Sequence, residues 1–269
     1  MRTYRKVFGI LLLALALTAC ITNVQPTNSP TPTNHDAVIY FVADTPIGFR
    51  LFPETHLIEV DGNQALSVLQ AIVDEGLQPR DPEYANLWTY ANTKVLSFVV
   101  TENTATIDLD YGRLNVGAEA EMRALDQLMY SVHDLVKNVK TFQFTVNGEK
   151  IESLAGHVDL SKPIKLGSTY EVLSNVWIDT PQHDQLVTGN LIASGMACTF
   201  EANVSYQLMK NKTLIVRGST TALEACPTRS PWKIDFGKLA KGNYTLKVFE
   251  RSAKNGTLLA VDSKDFLVG

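Results

Sequence analysis

Residues able to do chemistry are scattered thinly along this chain. His157 and Asp159, in Gly-His-Val-Asp, can offer two metal ligands, but no further ligand stands at metal-site spacing. Asp108 and Asp110 are two apart in a stretch of strand pattern and share a face. Such a pair can do acid–base work, and it equally keeps an exposed face wet. His133-Asp134 and His183-Asp184 read as surface pairs, on a helix and in a turn. No nucleophile elbow, His-Glu-x-x-His, phosphate loop or dinucleotide fingerprint is present. The chemistry makes no strong case for an enzyme, an envelope hydrolase being the lesser alternative, and no cofactor, catalytic residue or metal is expected.

Three cysteines carry more information. Cys20 ends a run that begins with Arg2, Arg5 and Lys6 and continues through apolar residues 7–19. The run is shorter than the roughly 20 residues a span needs, and its basic flank is that of an export signal. Leu17-Thr18-Ala19-Cys20 resembles the processing site at which a bacterial chain is cut and its new N-terminal Cys takes lipid. An ordinary signal with a chance Cys is the alternative. Residues 20–36, rich in Pro, Thr and Asn, have almost nothing to bury and read as a disordered tether. Cys198 and Cys226 remain. In an exported chain such a pair reads as a disulfide; two buried thiols or a nucleophile are the alternatives, and neither Cys stands beside a His.

A last candidate is a loop. Between 77 and 92 the chain reads LQPRDPEYANLWTYAN, which sets Tyr84, Trp88 and Tyr90 among polar residues. Aromatics so placed can stack on a sugar or anchor a partner; Trp88 can equally fold back as core. Four Asn-x-Ser/Thr sequences, at Asn203, Asn211, Asn243 and Asn255, read as turn and strand chemistry once a bacterial lipidation signal stands upstream.

The elements that must hold these residues fall into two textures. Residues 37–170 alternate strand and helix in the order β-β-α-β-β-α-β. Ala37–Val42 and the 49–60 segment, interrupted at Pro53, are strands. Asp61 with Gln64 suits a capping box for a helix with Leu66, Leu69 and Val73 on one face. A longer helix over about 117–138 sets Met122, Leu125, Met129, Val132 and Val136 inward, with Glu119, Arg123, Asp126, Asp134 and Lys137 toward water. Asn147-Gly148 marks a hairpin turn. The expected class is α+β, with both helices on a sheet. Residues 171–269 lose the helical period and show about seven short strands, a β-sandwich. Each half carries elements enough for its own core, so each is expected to fold alone.

Charge limits the partners. The formal net charge is −4, and residues 1–19 hold three cations and no acid, which leaves −7 for the remainder. That balance does not suit nucleic acid, and it leaves anchoring to a lipid.

The first half resembles the germane (GerMN) domain of bacterial sporulation and germination lipoproteins. AVIYFV, LSVLQAIVDEG, KVLSFVVTENTATIDLD and VKTFQFTVNGEKI carry the resemblance. The second half is similar to the immunoglobulin-like domain found behind it, through VWIDTPQHDQLVTG, GMACTFEANV and YTLKVFERSAKNG. The resemblance implies a non-catalytic, lipid-anchored protein on the outer face of the cell membrane that binds an envelope protein or peptidoglycan. It also implies kinship with small modules that build rings. The long loop 77–92 departs from the shorter turn expected there.

Overall fold

In a computed structural model of the protein, residues 32–269 are described. Residues 1–19, Cys20 and most of the tether lie outside them. The chain turns extended earlier than the tether reading allowed, at Thr33 rather than at 37. Strands β1 (Thr33–Thr45) and β2 (Gly48–Val60) pair antiparallel over their whole length. Polar Thr33–Asp36 are exposed and held mainly by the backbone ladder, which side-chain composition does not reveal. Pro53 does not break β2. The hairpin is a sheet of its own, so a proline facing the unpaired side removes no ladder bond. Ala37, Ile39 and Phe41 alternate inward on β1, as do Ile58 and Val60 on β2.

Helix α1 (Gln64–Val73) starts one turn-signal later than expected. Its cap is Asn63, whose side chain accepts from the Leu66 N–H, not Asp61. Strands β3 (Lys94–Thr101), β4 (Thr104–Asp110), β5 (Thr141–Val146) and β6 (Glu149–Lys150) form one sheet in the order β3-β4-β5-β6. The β4–β5 pair is parallel, with α2 (Ala118–His133) as the crossover. Asn147 and Gly148 both hold positive φ, the conformation a two-residue hairpin turn demands. Leu125, Met129 and Val132 of α2 are fully buried, whereas Met122 is partly exposed. Asp126, expected in water, is buried beside Arg123 on the same helix.

The second half is all strand after the single-turn helix α3 (Thr169–Val172). Strands β7 (Val176–Thr180), β9 (Asn190–Ala197) and β12 (Ser230–Lys238) form one sheet, in the order β12-β9-β7. The other contains β8 (Leu186–Val187), β10 (Asn203–Lys210), β11 (Thr213–Thr221), β13 (Gly242–Arg251) and β14 (Leu258–Val268), ordered β11-β10-β13-β14-β8. Trp232 fills the space between the sheets and donates its indole N–H to the Trp177 and Met196 carbonyls. Gly195 allows this approach: a Cβ there would lie 1.9 Å from the Trp177 carbonyl oxygen and 2.7 Å from the Trp232 ring. Cys198, at the end of β9, is bridged to Cys226 in the segment before β12.

Two apolar cores result, and they change over between Leu173 and Val176. Leu173 pairs with Leu51 of β2, and Ser174 N–H donates to the Leu51 carbonyl, so residues 171–174 pack with the first core rather than the second. Trp177, on β7 of the sandwich, also belongs to the first core.

Candidate functional site

The loop 77–92 and strand β14 meet in the most highly charged buried region between the halves. Lys264 on β14 is 4% exposed, Asp262 two residues earlier is 3% and Asp81 in the loop is 1%. Alternation explains why β14 supplies both Asp262 and Lys264: they point to one side of the strand, and the loop folds over them. Lys264 Nζ donates to Asp81 Oδ2 at 2.5 Å, to the Tyr84 hydroxyl at 2.5 Å and to Asp262 Oδ1 at 3.1 Å. The Tyr84 hydroxyl donates to Asp262 Oδ1 at 2.8 Å, and Asp262 Oδ2 accepts from the Ile178 N–H at 2.7 Å. Asp81 Oδ1 accepts from the Glu83 N–H at 2.9 Å. Every oxygen of the two carboxylates therefore has a donor. Burying such groups unpaired would be costly, so this satisfaction is what allows the seam to exist.

The electrostatics follow from burial. Desolvation pushes the Asp262 carboxyl up, against the downward pull of Lys264. Burial alone would lower Lys264, but Asp262 and Asp81 outweigh it and hold the ammonium above its ordinary value. Tyr84 is pushed well above the phenol range by burial and by both carboxylates, so it stays a donor.

Glu54 of β2 steadies the loop from behind. Its carboxylate accepts from the Arg80 and Asp81 N–H groups and pairs with His56 at 2.8 Å. Arg80 then reaches across to the Gln182 side chain at 2.7 Å. Beside this seam lies a cleft of about 280 Å³, walled by Tyr40, Glu54 and Arg80 on one side and by Trp177, Asp179 and His183 on the other. A second tie lies on the Trp177 side. Arg229, from the disulfide-bearing loop, sits 4.5 Å from the Trp177 ring and donates to the Ser174 and Thr169 carbonyls.

The expected aromatic platform does not form. Trp88 is 1% exposed and gives its indole N–H to the Ala124 carbonyl of α2. Tyr84 is buried in the ion cluster and stacks on Phe52 at 4.7 Å. Tyr90 alone is open, at 95% exposure. The reading of Tyr84, Trp88 and Tyr90 as a shared ligand surface is corrected accordingly: Tyr84 and Trp88 both enter the first core, and Tyr84 also joins the ion cluster.

Two of the acid candidates hold local structure. Asp108 accepts from the Thr145 hydroxyl and the Gly148 N–H, bracing the β5–β6 turn. Asp159 holds Ser161. Among the described residues no group of three or more His, Cys, Asp or Glu is placed to hold a metal ion. Sequence reasoning missed Glu121 altogether. This fully buried α2 carboxylate accepts from the N–H groups of Leu154, Ala155, His157 and Val158 and from the Ser153 hydroxyl. Burial pushes it up, but these hydrogen bonds outweigh burial and hold it below the usual carboxylate range. The Gly-His-Val-Asp stretch is therefore backbone wrapped around an anion, not a ligand set.

The fold is an α+β layer joined to an immunoglobulin-like sandwich, with a buried ion cluster where the two meet. Residues 38–152 match the model of the Germane family, described as sporulation and spore germination, and residues 175–257 match that of an immunoglobulin-like domain of bacterial spore germination. Among solved structures, a candidate lipoprotein from Clostridium perfringens is 24% identical over 49% of this chain and 87% of its own, with a TM-score of 0.34. The first GerMN domain of the Bacillus subtilis sporulation protein GerM is 14% identical over 49% of this chain and 97% of its own, with a TM-score of 0.39. The tandem GerMN domains of that protein are 16% identical, over 50% and 46%, with a TM-score of 0.37. No curated protein matches this chain.

Proposed function

We propose that the protein is a non-catalytic, lipid-anchored component of the bacterial cell envelope that binds a protein partner through its first half. Cys20 is the anchor, placed on the extracytoplasmic face by the signal and tether that precede the fold. Lipid anchoring accords with the finding that, among the described residues, no helix is long and apolar enough to cross a membrane.

One observation carries the partner reading. Strand β3 is an unpaired edge of the four-stranded sheet, and Leu96, Val99 and Val100 on it are exposed. A free apolar edge is where an extended segment of another protein adds a strand. Of the acids that sequence singled out, Asp108 and Asp159 are engaged in bracing turns, which supports binding over catalysis. With Trp88 and Tyr84 buried, a glycan platform in the 77–92 loop has no support.

The anchor is tested by Cys20→Ala, which is expected to abolish palmitate labelling and membrane retention; unchanged labelling refutes it. Partner binding is tested by photo-crosslinking in intact envelope. Val99→Lys is expected to lose an adduct that Ile215→Lys, on the edge strand of the other half, retains. The reverse pattern would move the binding surface to the sandwich.

A further inference from the structure

The amine of Lys264 and the carboxylate of Asp81 are buried, in contact and flanked by a second acid, an arrangement that exceeds what an ion pair requires. We infer that Lys264 Nζ and Asp81 Cγ are joined by an intramolecular amide bond, with Asp262 as its proton-transfer residue, welding the loop of the first half to the last strand of the second.

The geometry supplies each part of that condensation. Nζ lies 2.5 Å from Asp81 Oδ2, closer than an ordinary contact. Asp262 Oδ1 lies 3.1 Å from Nζ and is fixed by the Tyr84 hydroxyl, while Ile178 N–H pins its other oxygen. Asp81 Oδ1 already receives the Glu83 N–H, a donor aimed where charge develops as the carbonyl carbon becomes tetrahedral.

The step balances without any added reagent. The Lys264 ammonium passes one proton to Asp262 Oδ1 and becomes a neutral amine. Its lone pair forms the N–C bond to Asp81 Cγ. The second proton leaving Nζ and the one held on Asp262 both go to Asp81 Oδ2, the Cγ–Oδ2 bond breaks, and water departs. Asp262 ends as a carboxylate, as it began. The two carboxylates hold the ammonium above its ordinary value and resist the first transfer, while burial, which pushes the Asp262 carboxyl up, assists it. In water such a condensation is opposed by mass action. Here both reactants are fixed, and effective molarities on the order of 10⁵ M or more offset that opposition. The reaction happens once per molecule, so a slow rate suffices.

The bond is read by mass. The full chain, purified folded, is reduced, denatured and digested with trypsin. If the amide is present, peptide 81–94 is found branched onto peptide 255–269, uncut at Lys264 and lighter by one water than the sum of the two. Asp262→Asn, which keeps Asp81 beside Lys264, is expected to yield separate linear peptides with cleavage restored at Lys264. Separate linear peptides from the wild-type chain overturn the inference. A branched peptide from Asp262→Asn overturns the role given to Asp262.

Discussion

Two buried carboxylates on α2 pull stability in opposite directions with pH. Glu121 sits in a ring of donors and is held low, so its contribution is present above the unfolded carboxylate value and is lost as pH falls through its folded one. Removing it leaves several N–H groups buried without partners, and Glu121→Ala is expected to cost about 3 kcal/mol. Asp126 behaves conversely. Burial raises it to about 6 despite Arg123, so the folded state holds its proton more tightly than the unfolded one. Stability from this group declines as pH rises from about 4 to about 6. Chemical denaturation of Asp126→Asn between pH 4 and 7 is expected to lack that decline. If wild type and variant show the same slope, the assignment to Asp126 fails. Neither role could be read from the sequence. On a helical wheel Asp126 falls on the polar side, and what buries it is the connector around Gly167, more than 30 residues away.

At the scale of elements, the strand and helix order was legible because period and turn chemistry are local. Ala37–Val42, Leu66–Val73 and the Asn147-Gly148 turn each announce themselves within a dozen residues. The fate of the 77–92 loop was not legible, since a polar aromatic segment looks alike whether it is displayed or folded inward. Substitution separates the two. Trp88→Ala is expected to cost about 3–5 kcal/mol in urea denaturation, the range for deleting a buried aromatic, while Tyr90→Ala is expected to change stability by less than about 0.5 kcal/mol. Equal effects would contradict the burial pattern. The Cys198–Cys226 bridge closes a loop of 28 residues. Reduction is expected to lower the stability of the sandwich by roughly 3–4 kcal/mol, read as a lower melting temperature for that half.

For the molecule as a whole, the apolar cores are two but the seam between the halves is shared. The cores are separate, but Trp177 is lodged in the first and the ion cluster draws on both. Asp81 and Lys264 are 183 residues apart, and nothing in local pattern relates them. Lys264→Met leaves Asp81 and Asp262 facing each other without a cation, which is expected to cost about 3–5 kcal/mol or force the halves apart. Calorimetry should then show a single transition in the wild type dividing into two in the variant. A single transition in both, with unchanged midpoint, would mean that the seam contributes no coupling.

The three tryptophans are all buried, and each reports on a different part of the molecule. Trp88 is in the first core, Trp232 is between the sheets of the second, and Trp177 lies on the boundary beneath the Arg229 guanidinium. Their indole N–H groups end on the Ala124 carbonyl, the Trp177 carbonyl and the Asp179 carboxylate respectively. The protein is thus supplied with its own optical probes. Emission from chains keeping one indole at a time would follow the first half, the second half and their parting as separate signals, in the intact protein and without an added dye.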